Sequence, residues 1–138
     1  MDLARLTEKA QEAILGAQKL AQRQGNSQVD TEHLLAVLLD QDPGLAVSIL
    51  RKTGVAIEGL KRKAATLVES LPKISGSGAG VPTLTRRLAD IGLKAEDESA
   101  NFKDDYVSVE HLLLALLSDT GAAGKALKEF GLSRERLM

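Results

Sequence analysis

An internal repeat constrains the fold of this chain more than any other feature of its sequence. Residues 29–40 return with few changes as residues 107–118, and each copy contains a Glu-His pair followed by a run of leucines. The offset between the two histidines aligns residues 6–39 with residues 84–117 without a gap. After Pro43, which has no partner, the alignment slips by one residue and continues. A tandem repeat of this kind predicts two copies of one structural unit packed against each other.

The repeat divides the chain into two half-domains. The first copy occupies residues 1–70, and the second occupies residues 84–138. Between them, residues 71–83 contain the run Ser-Gly-Ser-Gly-Ala-Gly, whose composition is typical of a flexible linker. The second copy stops early in its last segment, so we expect a truncated final helix and a piece of a longer protein. For a chain of 138 residues, we expect one domain built from both copies.

Helical periodicity accounts for each segment of the repeat. In the first segment, small apolar residues recur every three or four positions, with Thr7 as the predicted N-cap and Gly25 at the end. In the second segment, Asp30 is the predicted cap, and residues 34–39 are apolar nearly all round, which indicates a central buried helix. We find no convincing strand, and the only β-like run, residues 106–109, is predicted to lead into a helix. The sequence therefore predicts an all-α fold. Its further helices are expected at residues 44–52 and 57–70, and in the second copy at residues 85–100, 109–119, 121–130 and from 133 onward.

Composition argues against several classes of function. The 18 basic and 19 acidic residues nearly balance, which disfavours a nucleic-acid or membrane-surface partner, and aromatic residues are too few for base stacking. Because the chain has no cysteine, it has no disulfide framework and no thiolate metal site. The sequence shows no signal-peptide pattern and no apolar run long enough to span a bilayer. We therefore expect a soluble, cytoplasmic domain.

Two short motifs invite a chemical interpretation. Residues 121–126, Gly-Ala-Ala-Gly-Lys-Ala, resemble a phosphate loop, but they have too few residues between the glycines and no Ser or Thr after the lysine. The Glu-His pairs suggest a metal or an acid–base site. Adjacent residues on a helix point about 100° apart, so a metal site would need His33 and His111 to converge. We therefore expect no metal, no cofactor and no catalytic residue in this chain.

Polar residues that recur beside helix starts are the strongest candidates for a binding site. Thr7 and Thr85 occupy equivalent positions, as do Glu32 and Glu110, and the spacing from threonine to glutamate is the same in both copies. Two uncapped helix N-termini that lie close together would form an anion site, and a nearby carboxylate would recognise a cationic group. Alternatively, each threonine caps its helix and each glutamate offsets the helix dipole. The two interpretations are compatible, and the sequence leaves both open.

Leu15 and Leu93 are identical between the copies, yet each lies among polar residues, about 100° from the apolar face of its helix. An apolar residue on a polar face marks either a packing contact or an exposed patch. We favour a contact between the half-domains, because the two copies must bury surface against each other. A groove for a binding partner along the same seam is the alternative.

Three stretches of the repeat resemble a known family. They are Leu-Thr-Glu-Lys-Ala-Gln-Glu-Ala at residues 6–13, Asp-Thr-Glu-His-Leu-Leu at residues 30–35 and Val-Glu-His-Leu-Leu-Leu at residues 109–114. Over essentially the whole chain, the sequence resembles the Clp N-terminal domain. The stretch Leu-Pro-Lys-Ile-Ser-Gly at residues 71–76 is most similar to the linker of ClpB-type AAA+ disaggregases rather than ClpC or ClpA. The resemblance implies eight helices in two pseudo-two-fold four-helix repeats, joined flexibly to two AAA+ ATPase modules outside this sequence.

The resemblance also implies a function. In the family, this domain binds unfolded or aggregated protein and passes it to the pore of a hexameric ring, whose ATPase modules use ATP and Mg. The implied role is substrate recognition for a ClpB-like chaperone of the stress response, in a fragment that is a monomer and a full-length protein that is a homohexamer. The alternative is an N-domain of a ClpC-like protease chaperone that binds an adaptor protein or phosphoarginine.

Specific binding positions also follow from the resemblance. Thr7, Thr85, Asp104 and Glu110 match positions linked to function in ClpB proteins. Thr7, Glu32, Thr85 and Glu110 match two phosphoarginine pockets in ClpC proteins. One departure is the second copy's first helix, which carries more charge than a groove for apolar chains requires.

Overall fold

The computed structural model describes residues 3–41, 43–74 and 80–138 and confirms the all-α fold. Within these residues the chain forms eight α-helices, four in each copy of the repeat, and two strands of two residues each. In chain order the elements are α1 (Glu8–Arg23), β1 (Gln28–Val29), α2 (Thr31–Asp40), α3 (Leu45–Lys52), α4 (Ile57–Glu69), β2 (Thr83–Leu84), α5 (Arg86–Asn101), α6 (Val109–Leu116), α7 (Ala122–Glu129) and α8 (Arg134–Leu137).

The helix ends follow local sequence signals, with one difference from prediction. Helix α1 begins after Thr7, whose side chain accepts a hydrogen bond from the backbone N–H of Ala10. It ends at Arg23, and Gly25, two residues later, has a φ of 72°. A left-handed φ of this kind is accessible to glycine at little cost. Helix α6 ends at Leu116, earlier than predicted, because the next three backbone amides each bond a carbonyl three residues back and tighten the last turn.

The central helices are α2 and α6, and both are buried because they are apolar nearly all round. Leu34, Leu35 and Leu38 of α2 are fully buried, and helix α2 packs against α1 and α4. Helix α6 packs against α5 and α3, so the two repeats share one core. Fully burying a leucine contributes roughly 1.5–3 kcal/mol. Among the described residues, no single helix is long and apolar enough to cross a membrane, although α2 and α3 together reach that length and apolar content across an 85° bend.

The expectation of no strand was wrong in one small but consequential place. Strands β1 and β2 pair in parallel, with Val29 opposite Leu84, and an isolated bridge joins Leu6 to Val107. These pairings precede helix starts, where extended backbone leads into the N-cap and can exchange hydrogen bonds with a neighbouring segment. As a result, α5 begins beside α2, and α1 begins beside α6. The first helix of each repeat therefore starts next to the second helix of the other repeat.

The segment predicted as a linker, residues 71–83, is held at both of its described ends. The backbone N–H of Ile74 donates to the carbonyl of Gly25 at 2.7 Å, and the Asn26 side chain donates to the carbonyl of Pro72 at 2.9 Å. Thr83 belongs to β2. Most of the Gly- and Ser-rich run lies outside the described residues. The division into repeats at residues 1–70 and 84–138 stays a prediction.

Candidate functional site

The exchanged helix starts create two equivalent clusters of polar side chains. The first, which we name the Glu32 half-site, combines Asp30, Thr31 and Glu32 at the start of α2 with Thr85 and Arg87 at the start of α5. The backbone N–H of Thr85 donates to the carbonyl of Val29 at 3.0 Å and fixes this arrangement. Two helix N-termini from different repeats meet here, but both are capped, by Asp30 and by Thr85, and not uncapped as an anion site would require.

The second cluster, the Glu110 half-site, combines Thr7 at the start of α1 with Asp104, Ser108, Glu110 and His111 at the start of α6. The backbone N–H of Thr7 donates to the carbonyl of Val107 at 3.0 Å. Within each repeat, the equal sequence spacing relates Thr7 to Glu32 and Thr85 to Glu110. The structure exchanges these partners, because the strand and the bridge join each threonine to the other repeat.

Asp30 is the organising residue of the Glu32 half-site. Its Oδ1 accepts hydrogen bonds from the backbone N–H of Thr31 at 2.7 Å and from the hydroxyl of Thr85 at 3.0 Å. Its Oδ2 accepts from the guanidinium of Arg87 at 2.6 Å. Burial alone would raise the pKa of Asp30, but the hydrogen bonds from Arg87, Thr31 and Thr85 outweigh it and hold that pKa below its ordinary value of 3.8. Asp30 is therefore a stably ionised carboxylate.

Glu32 lies deeper in the same half-site and has the opposite electrostatic character. Its side chain is only 6% exposed, and its Oε1 lies 3.9 Å from Nη2 of Arg87. Burial raises the pKa of Glu32, and the negative charge of Asp30 adds to that shift. The hydroxyl of Thr31 lies 3.2 Å from Glu32 and 2.9 Å from Asp119 Oδ2. One guanidinium thus faces several acidic groups in a mostly buried cluster.

The two histidines complete helix caps rather than a metal site. The backbone N–H groups of Asp30 and Ser108 donate to Nδ1 of His33 at 2.9 Å and of His111 at 2.8 Å. Since Nδ1 accepts, the proton of each neutral ring is on Nε2. Nε2 of His33 then donates to Asn26, and Nε2 of His111 donates to Asp104 at 2.9 Å. Burial lowers the pKa of His33, which favours this neutral form.

Three side chains of metal-ligating type lie close together, but their chemistry does not suit a metal ion. Ligand atoms of Asp104, Glu110 and His111 lie within 4.8 Å of one another, and His33 is not in this group. The nitrogen of His111 that faces the two carboxylates carries the ring proton, whereas a metal requires a free lone pair there. Each histidine is bonded to residues near its own helix start, so the convergence that a two-histidine metal site requires is not found among the described residues.

The Glu110 half-site is more open than its counterpart. The side chains of Asp104 and Glu110 are 45% and 47% exposed, while His111 is buried beneath them. The ring of Phe102 lies 6.0 Å from the ring of His111. A cavity of about 440 Å³ adjoins the carboxylates, with an apolar lining that includes Ile49, Phe102, Leu113, Leu114 and Leu137. This half-site presents negative charge beside apolar surface.

The remaining predicted residues fall into two groups, the helix-capping threonines and the exposed leucines. Thr7 and Thr85 are N-caps, as predicted, because their hydroxyl oxygens accept from the backbone N–H groups of Ala10 and Leu88. Leu15 and Leu93 are 46% and 60% exposed. Their expected contact between half-domains is therefore wrong. The repeats instead meet through α3 with α6, α4 with α7 and α1 with α6, which turns these two leucines outward.

Sequence reasoning missed Arg87 and Thr31 as members of the Glu32 half-site and Asp119 as a neighbour of it. Arg87 donates to Asp30, and Thr31 lies within hydrogen-bonding distance of Asp119, which comes from the turn after α6. One signal was available for Arg87, because the repeat aligns it with Lys9, so both copies carry a cation two residues after the capping threonine. No sequence signal connects Thr31 with Asp119, since that contact depends on how the two repeats pack.

Comparison with known proteins agrees with this architecture. The family described as the Clp repeat (R) N-terminal domain matches residues 5–130. A chaperone protein ClpB from Bacillus cereus is 41% identical over 140 residues, which cover all of this chain and 16% of that relative. The chaperone protein ClpB of Bacillus anthracis is 40% identical, with the same coverage. The chain thus spans about one sixth of the length of these curated relatives.

Solved structures show the same fold. The Hsp104 N-terminal domain of Candida albicans superposes with a TM-score of 0.83 at 24% identity, covering 96% of this chain and 85% of that domain. A complex of a ClpV N-domain with a VipB peptide gives a TM-score of 0.79 at 22% identity, covering 97% of this chain and 82% of that one. With the sequence match over residues 5–130, these comparisons decide the assignment. The chain belongs to the Clp repeat N-terminal domain family.

Proposed function

We propose that this chain is the substrate-recognition domain of a ClpB-like ATP-dependent chaperone, which binds unfolded or aggregated polypeptide and hands it to an AAA+ ring. The domain itself is a non-catalytic N-terminal domain of the ClpB-like type. In this proposal ATP and Mg belong to modules outside this sequence, the fragment is a monomer, and the full-length protein is a cytoplasmic homohexamer. The observation that carries the proposal is the outward placement of Leu15 and Leu93.

These two leucines lie on the first helix of each repeat, α1 and α5, at equivalent positions. Both are about half exposed. An apolar side chain held on a polar helix face offers a contact for the apolar segments that unfolded chains expose. Covering the exposed part of one leucine contributes roughly 1 kcal/mol. Such binding is weak for one domain, and several domains around a ring would strengthen it through avidity.

A second candidate function rests on a different observation. The exposed carboxylates of Asp104 and Glu110 stand beside the apolar cavity, close to the N-cap Thr7 of α1. Carboxylates recognise a guanidinium, and backbone amides at a helix start favour an anion. This combination supports binding of phosphoarginine or of a basic segment of an adaptor protein, as in ClpC-like chaperones. The solved complex of a ClpV N-domain with a VipB peptide supports peptide binding as a general use of the fold.

An NMR titration of the ¹⁵N-labelled domain separates the two candidates. One series adds a permanently unfolded protein, and another adds free phosphoarginine. We expect the unfolded protein to shift the amide signals around Leu15 and Leu93. Saturable shifts around Thr7 and Glu110 with phosphoarginine would favour the second candidate. If neither ligand shifted any signal, binding of unfolded protein and binding of phosphoarginine would both be refuted.

Variants of the exposed leucines provide the control. Leu15→Ser and Leu93→Ser remove the proposed contacts, and Leu45→Ser removes a leucine of α3 with similar exposure, 45% against 46% for Leu15. We expect the first two variants to weaken binding of the unfolded protein by about fivefold each, from roughly 1 kcal/mol of lost contact. Leu45→Ser should bind as the wild type does. Equal loss in all three variants would indicate non-specific apolar binding and contradict the proposal.

A further inference from the structure

The two half-sites have equivalent positions but different contents. In the Glu32 half-site, the guanidinium of Arg87 lies 2.6 Å from Asp30 and 3.9 Å from Glu32, and it also faces Asp119. In the Glu110 half-site, the aligned cation is Lys9, which instead pairs with Glu12 on its own helix at 3.3 Å. Among the described residues, no lysine or arginine forms an ion pair with Glu110. Within the described part of the chain, a lysine or arginine side chain of the protein therefore occupies one half-site and not the other.

The acidic groups explain why the cationic side chain lies inside the half-site in only one of the two copies. Asp30 accepts from Arg87, whereas the aligned residue in the second copy is Ser108, a neutral side chain. A guanidinium can bond two acidic groups at once through its fork of donors, whereas an ammonium acts as a point charge. Arg87 therefore gains stronger electrostatic interactions than Lys9 would when its side chain folds into its half-site.

The backbone around Arg87 is also shaped to admit it. A Cβ at position 121 would overlap Nη1 of Arg87, and Gly121 leaves that space to the guanidinium. The aligned glycine in the first copy, Gly44, faces the backbone carbonyl of Gln41 and no cation. The space at Gly121 is thus specific to the Glu32 half-site.

We propose that Arg87 is an internal occupant of the Glu32 half-site, which excludes a guanidinium-bearing ligand there and leaves the Glu110 half-site as the single place where this domain accepts one. The inference rests on the proposed binding role of the half-sites. An internal group is present at high effective concentration, so a free guanidinium compound must displace it before it binds. Arg87 thereby determines both the number of ligands and the half-site that receives them.

The test uses Arg87→Ala, with Lys9→Ala as its matched control, because the two variants remove aligned cations. The probe is methylguanidinium, which has the same end group as arginine, followed by amide signals in NMR. In Arg87→Ala, we expect saturable shifts at Thr31 and Glu32, with an apparent affinity at least tenfold higher than in the wild type. The probe should also raise the melting temperature of Arg87→Ala more than that of the wild type or Lys9→Ala, because both half-sites are open to it in that variant. Equal shifts at Thr31 and Glu32 in all three proteins would overturn the inference.

A second variant covers the case in which Arg87→Ala does not fold. Gly121→Ala retains Arg87 but fills the space beside its guanidinium, and its backbone φ of −88° suits alanine. We expect this variant to gain methylguanidinium binding at Thr31 and Glu32 as well. No gain in either folded variant would refute the inference.

The outcomes also separate this inference from the proposed function. If phosphoarginine and unfolded protein bind nowhere on the wild type, the proposed function fails, while the methylguanidinium experiment still decides the role of Arg87. If the wild type binds phosphoarginine at Glu110 and neither variant gains binding at Glu32, the role of Arg87 fails and the proposed function stands.

Discussion

Replacing Asp30 by alanine should be the most destabilising single change at either half-site. The carboxylate caps α2 and accepts from the hydroxyl of Thr85 and the guanidinium of Arg87. Loss of an N-cap costs about 1 kcal/mol, and loss of a part-buried hydrogen bond costs about another 1 kcal/mol. Because Arg87 is 43% exposed, its ion pair adds only about 0.5 kcal/mol. We expect Asp30→Ala to lower the free energy of unfolding by roughly 2–3 kcal/mol.

Urea unfolding followed by circular dichroism measures this loss, and thermal unfolding should show a fall of about 10 °C in melting temperature. Two controls separate its causes. Asp30→Asn keeps a good capping residue and removes the charge, so it should cost less than Asp30→Ala. Ser108→Ala changes the aligned cap in the second repeat, where no arginine is bound, and should cost about 1 kcal/mol or less. If Asp30→Ala cost no more than Ser108→Ala, the proposed importance of the link to Thr85 and Arg87 would be refuted.

The lowered pKa of Asp30 also predicts the direction in which the stability of the protein changes with pH. Because the pKa of Asp30 is lowered in the folded state, the folded protein binds its proton less readily than the unfolded chain does. Its stabilising contribution is therefore fully present above the ordinary pKa of 3.8 and is lost as the pH falls through the lower folded value. Asp30→Asn should lose stability relative to the wild type at pH 7 and approach it at pH 2 or so, in urea unfolding at both pH values.

Three further variants test the electrostatics, the core and the backbone. Burial raises the pKa of Glu32 above its ordinary 4.5, so its ionised form is disfavoured by folding and the cost appears as the pH rises through the folded value. Glu32→Gln should therefore gain stability relative to the wild type between pH 4 and pH 7 or so; a constant difference between the two proteins over that range would contradict the argument. Leu38→Ala should cost roughly 2–5 kcal/mol in urea unfolding, against less than about 0.5 kcal/mol for the exposed Leu45→Ala. Gly25→Ala should cost about 1 kcal/mol, because alanine disfavours the left-handed backbone at that position; an unchanged melting temperature would show that this turn relaxes.

The sequence was sufficient for the helices because their signals are local. The caps at Thr7, Asp30 and Thr85 and the apolar periodicity of α1 act within a few residues of chain, and the structure retains each of them. The repeat then transferred each interpretation from one copy to the other, which is why even α7 and α8 were expected in their places.

The candidate site was only partly predictable because its contacts join distant parts of the chain. The spacing from Thr7 to Glu32 equals that from Thr85 to Glu110, but spacing within a repeat carries no information about which repeat supplies the neighbouring helix. The parallel pairing of Val29 with Leu84 decides that question, and its two-residue strands are too short to give a periodic signal. Leu15 illustrates the same limit, since a leucine on a polar helix face has one pattern whether it is covered or exposed.

The exchanged helix starts have a consequence for how this duplication was able to diversify. Each half-site is formed by helix starts from both repeats. A single repeat would therefore have to associate with a second copy of itself to form a half-site. In such a symmetric pair, every substitution would appear in both half-sites at once. Joining the two copies in one chain removes that restriction, so Asp30 and Arg87 could arise on one side while Ser108 and Lys9 stand on the other. Covalent fusion thus converted two obligatorily identical sites into two that selection could alter independently.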